Sequence, residues 1–148
     1  MLQQRIDDDL KTAARAQDKA RLAALRLLKS AVKYREIETG APLTDEALVA
    51  VVQTLLKQRR DAAQQFAAAG RPELEANEKG DIAILEAYLP VQLTDDELRA
   101  LVQEAVAQGQ AKGPQQMGAV MKAVMPKVQG KADGKRVSEA VKKALAGG

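Results

Sequence analysis

The chain has 148 residues, no Cys, no His and only three aromatic residues, so its core must be aliphatic. These absences exclude disulfides, thiolate metal sites and imidazole-based proton transfer, and no residue is assigned a catalytic role. Charge is uneven, because residues 112–148 hold eight Lys or Arg against two Asp or Glu, whereas residues 1–111 hold 15 against 18. A basic segment of this kind is typical of proteins that bind phosphates or an acidic protein surface.

Four helices are predicted in the first part of the chain, because apolar residues recur there at helical spacing. Asp18 is expected to cap the second helix by accepting from the amides of its first turn. Pro42 and Gly70 flank the third helix as breakers. The expected spans are residues 2–17, residues 19–38, up to 25 residues from Thr44, and residues 72–89.

Three shorter helices are predicted after Pro90, which interrupts the helical pattern. Thr94 and Glu97 form a capping box at the start of the first, and Asp133 is expected to cap the last. The expected spans are 95–107, 115–125 and 134–145, with a break from Pro126 to Gly134. The fold class is therefore all-α, with a larger N-terminal domain over residues 1–90 and a small three-helix domain over residues 91–148.

Two groups of basic residues are candidate binding residues. The tail group is expected to contact phosphates through side chains, because Asp133 competes with any anion for the amides of the last helix. It comprises Lys122, Lys127, Lys131, Lys135, Arg136, Lys142 and Lys143. The secondary basic surface comprises Arg26, Lys29, Lys33, Lys57, Arg59 and Arg60. A solvated helix surface is the simpler interpretation of such residues.

Arg59 falls within the apolar stripe of the third helix, where an unpaired charge costs several kcal/mol. A structural ion pair is the favoured interpretation, with Asp81 or Glu86 as its carboxylate. In the tail, Met117, Val120, Met121 and Val124 form an apolar stripe typical of a core. Gly118 in that helix is expected to allow close approach of a neighbouring helix.

We expect neither a secretory signal nor a membrane span in this sequence. The N-terminus carries Asp7, Asp8 and Asp9 where a secretory signal needs an apolar run, and no stretch approaches the roughly 18 apolar residues of a membrane span. The glycine-rich segment 130–134 lacks the ending of a P-loop and a preceding strand. We therefore expect a cytoplasmic protein with no cofactor, no metal and no membrane partner.

Three segments carry a resemblance to a known family: LKQRRDA (56–62), DIAILEAYLPVQLTDDEL (81–98) and MGAVMKAVMPKVQGKADG (117–134). These segments resemble the GatB/YqeY family. Over nearly its whole length the chain looks like a free-standing YqeY-type protein. The last segment is similar to the helical tail of the B subunit of the aspartyl/glutamyl-tRNA amidotransferase. That tail helps to hold the tRNA in the enzyme, and nothing in this chain corresponds to the catalytic cradle that precedes it.

The resemblance implies a non-catalytic protein that binds tRNA or assists tRNA-dependent amidation, with tRNA and an amidotransferase or aminoacyl-tRNA synthetase as partners. Few aromatic residues are available for base stacking, so RNA contacts should depend on phosphates and shape. Two alternatives remain open. The chain could be a protein-protein adaptor that binds no RNA, or a component of a genuine amidotransferase that acts with other subunits.

Overall fold

The computed structural model describes residues 1–147, and every regular element within them is helical. The all-α prediction is confirmed. A single 3-10 turn, Pro114–Gln116, precedes the sixth helix. The α-helices are α1 (Leu2–Arg15), α2 (Lys19–Thr39), α3 (Asp45–Ala68), α4 (Pro72–Glu86), α5 (Asp95–Gln108), α6 (Met117–Val128) and α7 (Gly134–Gly147).

The helix starts follow the capping residues expected from the sequence. The Asp18 carboxylate accepts from the Arg21 amide at 3.1 Å, which caps α2. Thr94 and Glu97 form the reciprocal capping box of α5. Each of these contacts satisfies an amide of the first helical turn that has no partner within the helix.

Contacts divide the chain into two compact units, Met1–Leu89 and the part from Pro90 onward. In the first unit, α2 contacts α1, α3 and α4. The core is aliphatic apart from Tyr88, which is 2% exposed. Its buried members are Ile6, Ala13, Leu25, Leu28, Val32, Leu48, Val52, Leu55, Leu56, Leu85 and Tyr88.

The second unit packs α5, α6 and α7 against one another. Its core residues recur every three or four positions, which places them on one face of each helix. The buried members are Leu98, Val102, Ala105, Val120, Val124, Val128, Ala132, Val137, Val141 and Leu145. Met117 and Met121 pack against this core, as their position in the apolar stripe of α6 predicts.

Two expectations for α6 are wrong. The helix does not end before Pro126 but continues to Val128. Val124 and Val128 are both fully buried, and their packing offsets the roughly 3 kcal/mol that a proline inside a helix costs. Gly118 is not a site of close helix approach, since a methyl group added there would meet no atom within 4 Å. In the first unit, α4 ends at Glu86 rather than at Leu89.

None of the helices within residues 1–147 is both long enough and apolar enough to cross a membrane.

Candidate nucleic-acid interface

Six lysines of the tail group are exposed in the second unit. Two lie on α6, one lies in the turn between α6 and α7, and three lie on α7. Within residues 1–147 none of these six side chains pairs with a carboxylate, so their charge is not neutralised by the protein. They are Lys122, Lys127, Lys131, Lys135, Lys142 and Lys143.

Arg136 differs from the lysines because its guanidinium has partners within the unit. The side chain is 31% exposed and forms an ion pair with Asp95 at 2.9 Å. The same nitrogen donates to the backbone carbonyl of Leu93 at 2.8 Å. Its amide donates to the Asp133 carboxylate at 2.8 Å, which is the expected cap of α7. Arg136 therefore joins α7 to the start of α5 and to the residue Leu93 before it, and its expected contact with RNA stays a prediction.

The turn that carries Lys131 is held by further hydrogen bonds. The Leu93 amide donates to the Lys131 carbonyl at 2.8 Å, and the Gln92 side chain donates to the Gly130 carbonyl at 2.8 Å. Gly130 has a φ of 77°, a conformation that residues with a Cβ rarely adopt. The glycine thus permits the tight path that brings Lys131 to the surface.

The secondary basic surface is partly paired. On α2, Lys29 contacts the Asp7 carboxylate at 2.7 Å, whereas Arg26 and Lys33 are exposed and have no ion pair within the described residues. On α3, Lys57 is exposed in the same way. The side chains of Arg59 and Arg60 both face carboxylates of α4.

Arg59 forms the expected structural ion pair, but its partner is Glu78 rather than Asp81 or Glu86. The two charged groups are 3.4 Å apart, and the side chains are only 26% and 15% exposed. Glu86 instead pairs with Arg60 at 3.1 Å. Burial raises the pKa of the Asp81 carboxyl, and the nearby Arg59 guanidinium partly opposes that shift. Arg59 is therefore a packing residue between α3 and α4.

A cluster around Tyr88 was not foreseen from the sequence. The Tyr88 hydroxyl donates to the Asp9 carboxylate at 2.5 Å, and the Arg5 guanidinium lies 4.8 Å from the centre of the Tyr88 ring. Arg21 approaches the same carboxylate at 3.9 Å. Burial and the hydrogen bond to Asp9 raise the pKa of Tyr88 to about 12. The only sequence signal was the position of Tyr88 three residues after the apolar Leu85.

Metal-ligating side chains are not clustered in the described part of the chain. No group of three Asp or Glu side chains within residues 1–147 is arranged so that it could hold a metal ion.

Relatives similar to the chain in three organisms carry the same protein name. "Altered inheritance of mitochondria protein 41, mitochondrial" of Saccharomyces cerevisiae is 35% identical over 82 residues, which are 55% of this chain and 44% of the relative. The protein of the same name from Lachancea thermotolerans gives the same values. That from Eremothecium gossypii is 31% identical over 85 residues, 57% of this chain and 46% of the relative. The match therefore spans less than half the length of these relatives.

These names place the relatives in mitochondria, and the cytoplasmic location of this chain stays a prediction. The family comparison covers far more of the sequence. The model of the family described as "Yqey-like protein" matches residues 3–145, which include all seven α-helices in whole or in large part. The chain therefore belongs to the YqeY-like family.

Proposed function

We propose that this protein binds tRNA through the six exposed lysines of its second unit and assists tRNA-dependent amidation without catalysing it. The proposal combines two supports. One is the resemblance of the segment 117–134 to the tail of the amidotransferase B subunit. The other, which carries the proposal, is that all six lysines are exposed and unpaired within residues 1–147.

The two basic groups differ in how many of their residues already form ion pairs with carboxylates of the protein. In the secondary surface, Lys29, Arg59 and Arg60 already contact carboxylates of the protein. A phosphate that contacts such a residue must displace a carboxylate, whereas one that contacts an unpaired lysine displaces only water and counterions. The second unit is therefore the better phosphate-binding surface.

The aromatic residues favour contacts with the RNA backbone over base stacking. Tyr88 is buried and Phe66 is half-buried, which leaves Tyr34 as the one exposed aromatic residue within residues 1–147. Recognition that depends on phosphates depends strongly on salt, because each neutralised phosphate releases counterions. The RNA would be recognised by its shape rather than by its sequence.

Filter binding of tRNA across a salt series tests the proposal. If all six lysines contact phosphates, log K should fall with log salt with a slope of about −4 to −5. The triple variant Lys127→Gln, Lys131→Gln, Lys135→Gln should reduce the magnitude of that slope by about 2 to 3. Arg136 is left intact in this variant because its contacts hold the fold together.

A matched control removes three positive charges elsewhere. The triple variant Arg26→Gln, Lys33→Gln, Lys57→Gln removes exposed, unpaired cations of the first unit and should leave the slope nearly unchanged. If both triple variants reduce the magnitude of the salt slope equally, net charge alone attracts the RNA. Absence of salt-dependent binding by the natural chain would refute the proposal itself.

A protein-protein adaptor is the second candidate, and one surface favours it. Tyr34 is 67% exposed and Ile37 is 73% exposed, and their spacing places them on the same side of α2. Arg26 and Lys33 lie on that side too. The adaptor hypothesis expects a defined protein to bind after ribonuclease treatment and to be lost in the variant Tyr34→Ser, Ile37→Ser.

A further inference from the structure

A groove with a volume of about 400 Å³ lies between α5 and α7 in the second unit. Leu98, Ala140 and Ala144 give it buried or half-buried apolar walls. Its other lining side chains are polar or charged, and most of them are exposed. The volume falls within the roughly 300–1,000 Å³ of pockets that bind small ligands. Six of its nine lining residues are polar or charged, which suits a charged ligand better than an apolar one.

Two of the charged lining residues already form an ion pair with each other. Arg136 and Asp95 form the ion pair at 2.9 Å that joins α7 to the start of α5. They form a fixed part of the wall, because the Arg136 guanidinium is also bonded to the Leu93 carbonyl. Neither group is available to a ligand without loss of that contact.

The remaining charged lining residues are available. Lys143 and Glu139 have no ion pair or side-chain hydrogen bond within residues 1–147. Arg99 contacts Asp96 at 3.4 Å, but the two side chains are 65% and 90% exposed. Such an exposed pair is worth about 0–1 kcal/mol, so a phosphate can replace Asp96 at little cost. The groove thus offers two cations and one carboxylate.

The mixture of charges limits which ligand fits. Glu139 and Lys143 are four residues apart on α7 and share one side of the helix. Arg99 stands on α5, across the groove. A simple anion would be attracted by the two cations and repelled by Glu139. A ligand with a phosphate and a separate set of N–H donors would satisfy all three groups.

We propose that the groove receives one nucleotide of a single-stranded RNA segment, with its phosphate on Arg99 and Lys143 and its base edge on Glu139. This inference rests on the proposed RNA-binding function and adds one base contact to binding that otherwise depends on phosphates and on the shape of the RNA. Guanine is the preferred base, because its two adjacent N–H donors match the two oxygens of a carboxylate. Ala140 and Ala144, which are half-buried, provide an apolar surface for the base.

Nuclear magnetic resonance titration of the full chain with GMP and with UMP tests the inference directly. GMP should shift the amides of residues 98–103 and 139–144 at a concentration about tenfold below that of UMP. In Glu139→Gln the two nucleotides should bind alike. Shifts that are absent, or that spread evenly over α6 and the Lys131 turn, would overturn the inference.

Neighbouring lysines on α7 provide the matched control. Lys143 lines the groove, whereas Lys142 is exposed outside it. Arg99→Gln and Lys143→Gln should each weaken GMP binding about tenfold, the cost of a charge-assisted hydrogen bond. Lys142→Gln should weaken it less than about twofold, as expected for an exposed charge. Equal effects of Lys142→Gln and Lys143→Gln would show that GMP does not bind in the groove.

The tRNA measurement separates this inference from the proposed function. If tRNA binds with the expected salt slope, but Arg99→Gln and Lys143→Gln bind it as well as Lys142→Gln does, the function stands and the groove inference is wrong. If tRNA does not bind, the proposed function is wrong. In that case the titration with GMP alone decides whether the groove is a nucleotide site.

Discussion

Replacing Tyr88 by Phe should destabilise the first unit in a way that depends on pH. The phenol hydroxyl donates to the Asp9 carboxylate at 2.5 Å, and the ring is 2% exposed. Phe keeps the ring in the core and removes the hydroxyl together with its hydrogen bond to Asp9. A hydrogen bond to a charged group contributes about 1.5–3 kcal/mol. Asp9 is 24% exposed and can regain water, so we expect a loss near the lower limit, about 1.5 kcal/mol at pH 8.

The pH dependence follows from the raised pKa of Tyr88, which is about 12 in the folded protein and about 10 when the chain is unfolded. The folded state retains the proton more strongly, so its contribution is fully present below pH 10 and is lost as pH rises towards 12. One pKa unit corresponds to about 1.4 kcal/mol. The free energy of unfolding of the natural chain should therefore be about 1.4 kcal/mol lower at pH 11 because of Tyr88. Tyr88→Phe has no phenol to titrate and should not show this decrease.

Urea denaturation followed by circular dichroism at pH 8 and pH 11 measures both effects. Deprotonation of lysines affects the natural chain and the variant alike and cancels in the difference. Tyr34→Phe is the control, because Tyr34 is 67% exposed and should change the free energy of unfolding by less than about 0.5 kcal/mol. The reasoning is refuted if Tyr88→Phe matches the natural chain at pH 8, or if their difference is the same at both pH values.

Further substitutions test an ion pair, a helix cap and a turn by the same denaturation measurement. Glu78→Ala leaves the Arg59 guanidinium half-buried without its carboxylate and should cost about 1–3 kcal/mol, whereas Glu86→Ala breaks a more exposed pair and should cost less than about 1 kcal/mol. Similar costs would refute the assignment of Arg59 to packing. Asp133→Ala removes the cap of α7 and should cost about 1 kcal/mol, while Asp133→Asn should retain most of that stability. Gly130→Ala should cost at least about 1 kcal/mol because φ is 77° there, and a neutral effect would show that the turn adapts.

Local signals in the sequence were sufficient for the helices. Asp18, Thr94 and Asp133 cap α2, α5 and α7 as predicted, because capping depends on residues within one turn of each other. The apolar periodicity likewise identified the core sides of α2 and α6. Family resemblance was carried by three short segments and is confirmed by the match over residues 3–145.

These local signals do not predict contacts between residues that are far apart in the sequence. Tyr88 and Asp9 are 79 positions apart, and nothing near either residue marks the other as its partner. Glu78 and Asp81 lie three positions apart on α4, so the choice of partner for Arg59 depends on how α3 and α4 are rotated against each other. The local cost of Pro126 predicts a helix break, and the tertiary packing that offsets this cost involves Val128.

The hydrogen bonds around the turn between α6 and α7 also bear on the entropy of binding. Gln92 and Leu93 hold the backbone of Gly130 and Lys131 in place before a ligand arrives. A flexible loop would lose about 1–2 kcal/mol per residue in conformational entropy on becoming ordered. At Lys131 the backbone is already held, so the side chain is the part of this residue that remains to be ordered. A ligand that contacts this turn therefore meets a surface whose shape is already set, and more of the contact energy is retained as affinity.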